Sequence, residues 1–164
     1  MPGWTIELLA AGSYPPETGS TYRENARAKA LYGHGVAPSQ WVLGEDSGIE
    51  VAALDGRPGV RSARWAAEPV AALLAQLAGV DDRRARYVCD LVAISPEGEE
   101  LGAQGTLEGA IALEPRGSEG FGYDPIFVPA GEERTVAELG NAWKRAHSHR
   151  ARAAAALKAA LGAS

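Results

Sequence analysis

The chain has one cysteine and one methionine in 164 residues, so it can build neither an internal disulfide framework nor a multi-cysteine zinc site. It has no apolar run of the roughly 18 residues that a membrane span needs. The opening stretch, MPGWTIELLAAG, carries no basic segment ahead of a long apolar one, which argues against a secretory leader. Excess positive charge is missing as well. Sixteen basic against twenty-one acidic residues give a net charge of −5, so no general attraction to nucleic acid or to an anionic membrane is expected. Neither GxxxxGK[ST] nor a GxGxxG following a strand occurs. Together these absences predict a cytoplasmic protein with neither nucleic acid nor membrane as a partner.

What is present is ordinary globular material with many turns. Apolar residues make up 46% and charged residues 23%. A chain of this length buries about 70% of its unfolded surface on folding, enough for one core. Twenty glycines and ten prolines imply backbone-shaped loops, the kind that carry function. No internal repeat or low-complexity linker divides the chain, so residues 1–164 read as one domain. Thr5–Ala10 is a short apolar run that reads as a strand. Thr21–Tyr32 reads as a helix, with Thr21 and Glu24 spaced as a capping box. Trp41–Leu43 and Ile49–Leu54 read as strands around a GEDSG turn. Glu68–Leu77 has the 3.6-residue period of a helix. Arg86–Ile94 and Leu101–Leu113 read as an antiparallel hairpin. A short helix starts at Thr135, and Ala142–Leu161 contains the last one. Helices interleaved with strands make the class α/β or α+β with a mixed sheet.

Four segments carry chemistry. Gly44-Glu45-Asp46-Ser47-Gly48 sets two carboxylates, a hydroxyl and two glycines between apolar runs. Ionised carboxylates are hard ligands for Mg²⁺, and one can deprotonate a water. The same residues are also common in turns. Arg57-Pro-Gly-Val-Arg-Ser-Ala-Arg64-Trp65 has three arginines that suit phosphate or simply face solvent. In Gly120-Phe-Gly-Tyr-Asp-Pro-Ile-Phe127, aromatics flanked by glycine let a planar base approach the backbone, and Asp124 can accept from ring N–H groups. The alternative is a tight turn that closes the core. Lys144 with His149 and Arg150 fits a helix starting after a Ser148 cap, whose N-terminus favours an anion, or else an amphipathic helix with snorkelling cations. His34 and His147 have no second ligand at a metal-site spacing, and Cys89 in its apolar run reads as buried and inert.

In order and in spacing these segments resemble the inosine triphosphate pyrophosphatase family, which hydrolyses non-standard purine nucleoside triphosphates. The matching stretches are ETGSTYRENARAKA (17–30), EDSG (45–48), PGVRSARW (58–65), GFGYDPIF (120–127), TVAEL (135–139) and SHR (148–150). Six blocks in register are far harder to obtain by chance than any one of them. The resemblance implies a two-lobed α/β fold, a mixed central sheet flanked by helices, and a cleft between the lobes. It implies Mg²⁺-dependent attack of water on the α-phosphate of ITP, dITP or XTP, giving the monophosphate and pyrophosphate, and it implies a homodimer. By position, Asp46 matches the general base and metal carboxylate, Glu17 an acidic metal ligand and Glu45 a neighbouring carboxylate. Ser47 falls where the family contacts substrate, and Lys29 matches a lysine near the phosphates. Phe121, Gly122, Tyr123 and Asp124 match the base pocket, and Lys144, His149 and Arg150 the base and phosphate contacts.

The resemblance has one large departure. Family members place a strand and a Thr-x-Asn-x-x-Lys phosphate loop ahead of the part matched here, and no TxNxxK stands near Met1. The expectation is a chain truncated at its N-terminus. Smaller departures are Trp65, where a tyrosine is commoner, and His147. A nucleotide-binding remnant without turnover is therefore the competing reading, and a pyrophosphatase of modified pyrimidine nucleotides a third.

Overall fold

The computed structural model describes residues 5–10 and 13–162. Its first helix, α1 (Tyr22–Val36), begins where the capping box placed it. The Thr21 hydroxyl accepts from the Glu24 N–H at 3.1 Å, and the Glu24 carboxylate accepts from the Thr21 N–H at 3.2 Å. Its buried side, Tyr22, Asn25, Ala26, Ala30 and Gly33, follows the helical period.

Four strands form one sheet in sequence order: β1 (Val42–Val51), β2 (Arg84–Ile94), β3 (Glu100–Ile111) and β4 (Phe127–Pro129). Between β1 and β2 lies α2 (Pro69–Gln76), which starts on a proline where its missing N–H costs nothing. After β4 come α3 (Val136–His147), interrupted at Gly140, and α4 (His149–Gly162). Thr135 caps α3 in a second capping box. Thus α1 and α4 cover opposite faces of the sheet. Val92 and Ile94 pack under α1 with Ala26 and Ala30, while Cys89, Leu91 and Ala103 pack under α4 with Ala153 and Leu157.

A third and larger core forms at the other end of the strands. It gathers Ile49, Val51, Leu73, Leu77, Tyr87, Leu107, Ile111 and Phe127. The long strands therefore run through separate hydrophobic clusters, the physical basis of a two-lobed α/β molecule.

Three expectations are corrected. Every pairing among the described residues is antiparallel, where a mixed sheet was expected. Thr5–Ala10 forms no strand: no described strand pairs with it, and Ile6 and Leu8 are 82% and 96% exposed. GEDSG is not a turn but the middle of β1, with Asp46 opposite Asp90 and Ser47 opposite Cys89. Polar residues are tolerated there because each face of the strand meets side-chain partners on a helix. Glycine supplies the room. A Cβ on Gly44 would lie 2.0 Å from the Ala26 carbonyl oxygen and 2.7 Å from the Ala30 nitrogen, so α1 sits directly on the β1 backbone.

Candidate active site

Alternation along β1 sends its polar side chains two ways. Asp46 faces α1, and Glu45 and Ser47 face α4. Asn25 and Lys29 lie four residues apart on one side of α1 and both reach Asp46. The Asn25 amide donates to Oδ2 at 3.0 Å. The Lys29 ammonium donates to Oδ1 at 3.1 Å and to the Glu45 carbonyl at 2.9 Å. The same ammonium contacts Glu17 Oε1 at 2.6 Å. Arg64 pairs with the other oxygen of Glu17 and donates to the Glu17 carbonyl at 3.0 Å. Two carboxylates from separate segments thus converge on one cation.

Their environments push their protonation in opposite directions. Burial raises the Asp46 pKa above its ordinary 3.8, against the lowering pull of the hydrogen bonds from Asn25 and Lys29. Glu17 is lowered, first by its hydrogen bond from Lys29 and, against the cost of burial, by Arg64 as well. Burial pulls Lys29 down, but its bonds to Glu17 and Asp46 outweigh that and raise it, so the ammonium stays charged. A carboxylate with a raised pKa beside one held ionised is the division expected of a base beside a pure ligand.

The α4 face carries the second cluster. Arg150, in the first turn of α4, donates to Glu45 Oε1 at 3.0 Å and to the Ser47 hydroxyl at 2.7 Å. Phe121 is 64% exposed, with the Lys144 ammonium 3.7 Å from its ring centroid and the Arg150 guanidinium 5.5 Å from it. Lys144 also pairs with Asp124 Oδ2, which accepts from the Phe121 N–H at 2.8 Å as well. Gly120, at φ +81°, makes this fold-back possible: a Cβ there would lie 2.2 Å from Asp124 Oδ2. Gly122, at φ +60°, turns the loop next to Phe121.

His149 is buried, and its pKa is pushed down to about 3, chiefly by burial and further by Arg150 and Lys144, so it is neutral at physiological pH. Its Nδ1 has no hydrogen-bond partner among the described residues. Tyr123 stands apart from this hollow. It is buried in the large core and donates its hydroxyl to the Ser62 carbonyl at 3.0 Å, which ties the aromatic loop to the turn after β1. Glu45 likewise does not join Glu17 and Asp46, since it points to the other face of β1. Cys89 touches Glu45 at 3.6 Å and is otherwise inert; burial pushes its thiol up to about 12.

A concavity of about 940 Å³ lies elsewhere, lined by Arg23, Arg57, Arg61, Arg86 and Trp65 among others. It takes up most of the arginine segment, of which only Arg64 turns to the carboxylate cluster. Sequence reading missed Asn25, which orients Asp46, and Tyr87, which touches Asp124. Both look like core residues in a one-dimensional pattern.

The donor set fits a hard divalent cation. Glu17 and Asp46 present carboxylate oxygens to one shared cationic position, now taken by the Lys29 ammonium. Among the described residues no third Asp, Glu, His or Cys completes a metal cage. Mg²⁺ is commonly held by one or two carboxylates, with phosphate and water filling its remaining positions.

A family model described as the Ham1 family matches residues 3–160. The chain belongs to the Ham1 family. It is 46% identical over 162 residues to a dITP/XTP pyrophosphatase of Deinococcus deserti, covering 96% of this chain and 77% of that one. It is 49% identical over 169 residues to a dITP/XTP pyrophosphatase of Mycobacterium tuberculosis, covering 95% and 82%. The Staphylococcus aureus Ham1 protein superposes with a TM-score of 0.83 at 38% identity, over 99% of this chain and 82% of that one. No described helix of this Ham1-family chain is long and apolar enough to cross a membrane.

Proposed function

We propose that this chain hydrolyses non-standard purine nucleoside triphosphates such as ITP, dITP and XTP to the monophosphate and pyrophosphate. The observation that carries the proposal is the convergence of Glu17 and Asp46 on Lys29, at the same stretch of β1 whose other face holds Arg150 beside Phe121. The relatives' activity supports it at 46% and 49% identity over nearly the whole chain.

Each residue has a task that its position allows. Asp46, with its raised pKa, accepts the proton of the attacking water as the oxygen bonds to the α-phosphorus and the bond to the β-phosphate oxygen breaks. Glu17 and Asp46 would hold Mg²⁺. When bound, the metal supplies Lewis-acid polarisation of phosphate oxygens and neutralises charge on the leaving pyrophosphate. Lys29 adds a fixed positive charge beside them. Phe121 stacks the base, Asp124 accepts from its ring N–H, and neutral His149 and Arg150 border the same hollow. An adenine lacks that ring N–H and can donate nothing to Asp124 at that edge, which discriminates against it.

The chain works in the cytoplasm on this reading, as a homodimer. Light scattering after gel filtration tests the dimer. The activity is tested by following pyrophosphate and IMP from ITP in Mg²⁺ against a panel including XTP, ATP and dUTP. Selective turnover of ITP and XTP is expected. Binding of IMP without turnover would instead leave a nucleotide-binding remnant, and preference for dUTP would move the substrate class to pyrimidines.

A further inference from the structure

Tyr87 touches both Asp124 and His149, on two walls of the base hollow. It stands in β2, is 8% exposed, and faces α4. Its hydroxyl donates to Asp124 Oδ1 at 3.3 Å. Its ring stacks on the His149 imidazole at 4.6 Å and 9°. Behind them it packs against Phe127 at 4.5 Å. Asp124 Oδ2 already has two donors, the Phe121 N–H and the Lys144 ammonium, whereas Tyr87 is the one described donor on Oδ1.

We propose that Tyr87 is a positioning residue for base selection: its hydroxyl fixes the plane of the Asp124 carboxylate while its ring fixes the plane of His149. The proposal rests on the base-pocket reading of Asp124 and His149 given above. Without the hydroxyl the carboxylate is anchored through one oxygen and turns about its terminal torsion, which is a soft one. The edge offered to a ring N–H is then no longer fixed. Phenylalanine would keep the stack and the packing but not the hydrogen bond. Burial, and next the charge of Asp124, raise the Tyr87 hydroxyl well above its ordinary range, so it remains a donor at any working pH.

The experiment uses the full chain and compares wild type, Tyr87→Phe, Asp124→Asn and the double variant. Kinetics are measured with ITP and ATP, IMP binding by calorimetry, and melting temperature as a folding check. Tyr87→Phe is expected to raise KM for ITP and Kd for IMP about threefold to tenfold, the worth of one hydrogen bond to a charged group at long distance. The change in kcat should be smaller, and kcat/KM for ATP should not fall with it. In the Asp124→Asn background the same substitution should add nothing, because Tyr87 acts through that carboxylate. A purely structural tyrosine would lower both substrates' kcat/KM alike and add its effect in the double variant. Either result overturns the proposal while leaving the activity standing. A wild type that neither binds IMP nor releases pyrophosphate from ITP overturns the base-pocket reading, and this inference with it. Should Tyr87→Phe melt well below wild type, the coupling to Asp124 in IMP binding below that melting temperature still decides the question.

Discussion

Replacing Asp46 by asparagine removes a charge and a proton acceptor while keeping the shape of the side chain. The carboxylate now takes one donor on each oxygen, Asn25 at 3.0 Å and Lys29 at 3.1 Å. An amide has one oxygen, so it can satisfy only one of them. A lost hydrogen bond at a buried site costs about 1–3 kcal/mol. Against this, burial holds the Asp46 pKa above 3.8, so the wild type carries its ionised carboxylate at a cost that the amide avoids. The two contributions oppose each other, and the melting temperature at pH 7 should move little. The sign with pH is definite. A carboxyl whose folded pKa is raised stabilises the fold most when protonated, and that contribution fades as pH climbs from about 3.8 through the folded value. The asparagine variant lacks this slope, so its melting temperature relative to wild type should be more favourable at pH 7 than at pH 4. Turnover behaves differently. Loss of a positioned general base costs about 10²- to 10⁴-fold, or about 3–5 kcal/mol of transition-state stabilisation. On the proposed reading the same carboxylate would also help to hold Mg²⁺, which pushes the loss to the upper end. Pyrophosphate release from ITP at saturating Mg²⁺ is the assay. A folded variant with kcat within tenfold of wild type would refute the role of Asp46.

Lys29→Met removes a hydrogen bond that lowers the Asp46 pKa, so the acidic limb of the kcat/KM profile should move to higher pH; an unmoved limb would show that Lys29 does not tune the base. Arg150→Ala frees Glu45 and Ser47 and takes a cation from beside Phe121, and KM for ITP should rise several-fold with melting changed by no more than a degree or two. Gly44→Ala forces a methyl group against the Ala26 carbonyl at 2.0 Å; overpacking of this kind costs about 1–3 kcal/mol, and because α1 carries Lys29 and Asn25, chemical denaturation and kcat should fall together.

Local signals in the chain were strong where a single residue type decides the geometry. Thr21 with Glu24 places one helix start by hydrogen-bond chemistry alone, and the structure has that capping box; the helix expected to start at Thr135 does so, with a second box closed by Glu138. The helix start after Ser148 was legible for the same reason, its hydroxyl accepting from the Ala151 N–H at 3.2 Å. GEDSG misled because turn composition and a polar strand use the same residues. What settles it is the partner on each face, and Asn25, Lys29 and Arg150 lie 21, 17 and 103 or more residues away along the chain. Tyr123 misled in the opposite sense: an aromatic in a glycine-rich loop suggests stacking on a base, yet its hydroxyl is spent on Ser62. Tyr87 was invisible because alternation in β2 marks it only as a residue of the core.

The position of the polar stretch within β1 follows from how the cores divide. Val42, at one end of the strand, packs against the cluster under α1, while Ile49 and Val51, at the other, belong to the large core. Residues 44–48 lie between the two and contain no apolar side chain beyond glycine. A strand anchored at both ends by separate cores is held rigid through its middle, where α1 lies directly on the Gly44 backbone. That middle can therefore carry a carboxylate to one face and a carboxylate and hydroxyl to the other without weakening the fold. The arrangement also ties the two halves of the site together. Asp46 and Ser47 are consecutive residues on one paired strand, so the carboxylate cluster and the Arg150 hollow are held at a spacing set by covalent geometry and the β1–β2 ladder. On the proposed function, the span from Asp46 to the Arg150 side of the site that a substrate would cross is set by this strand.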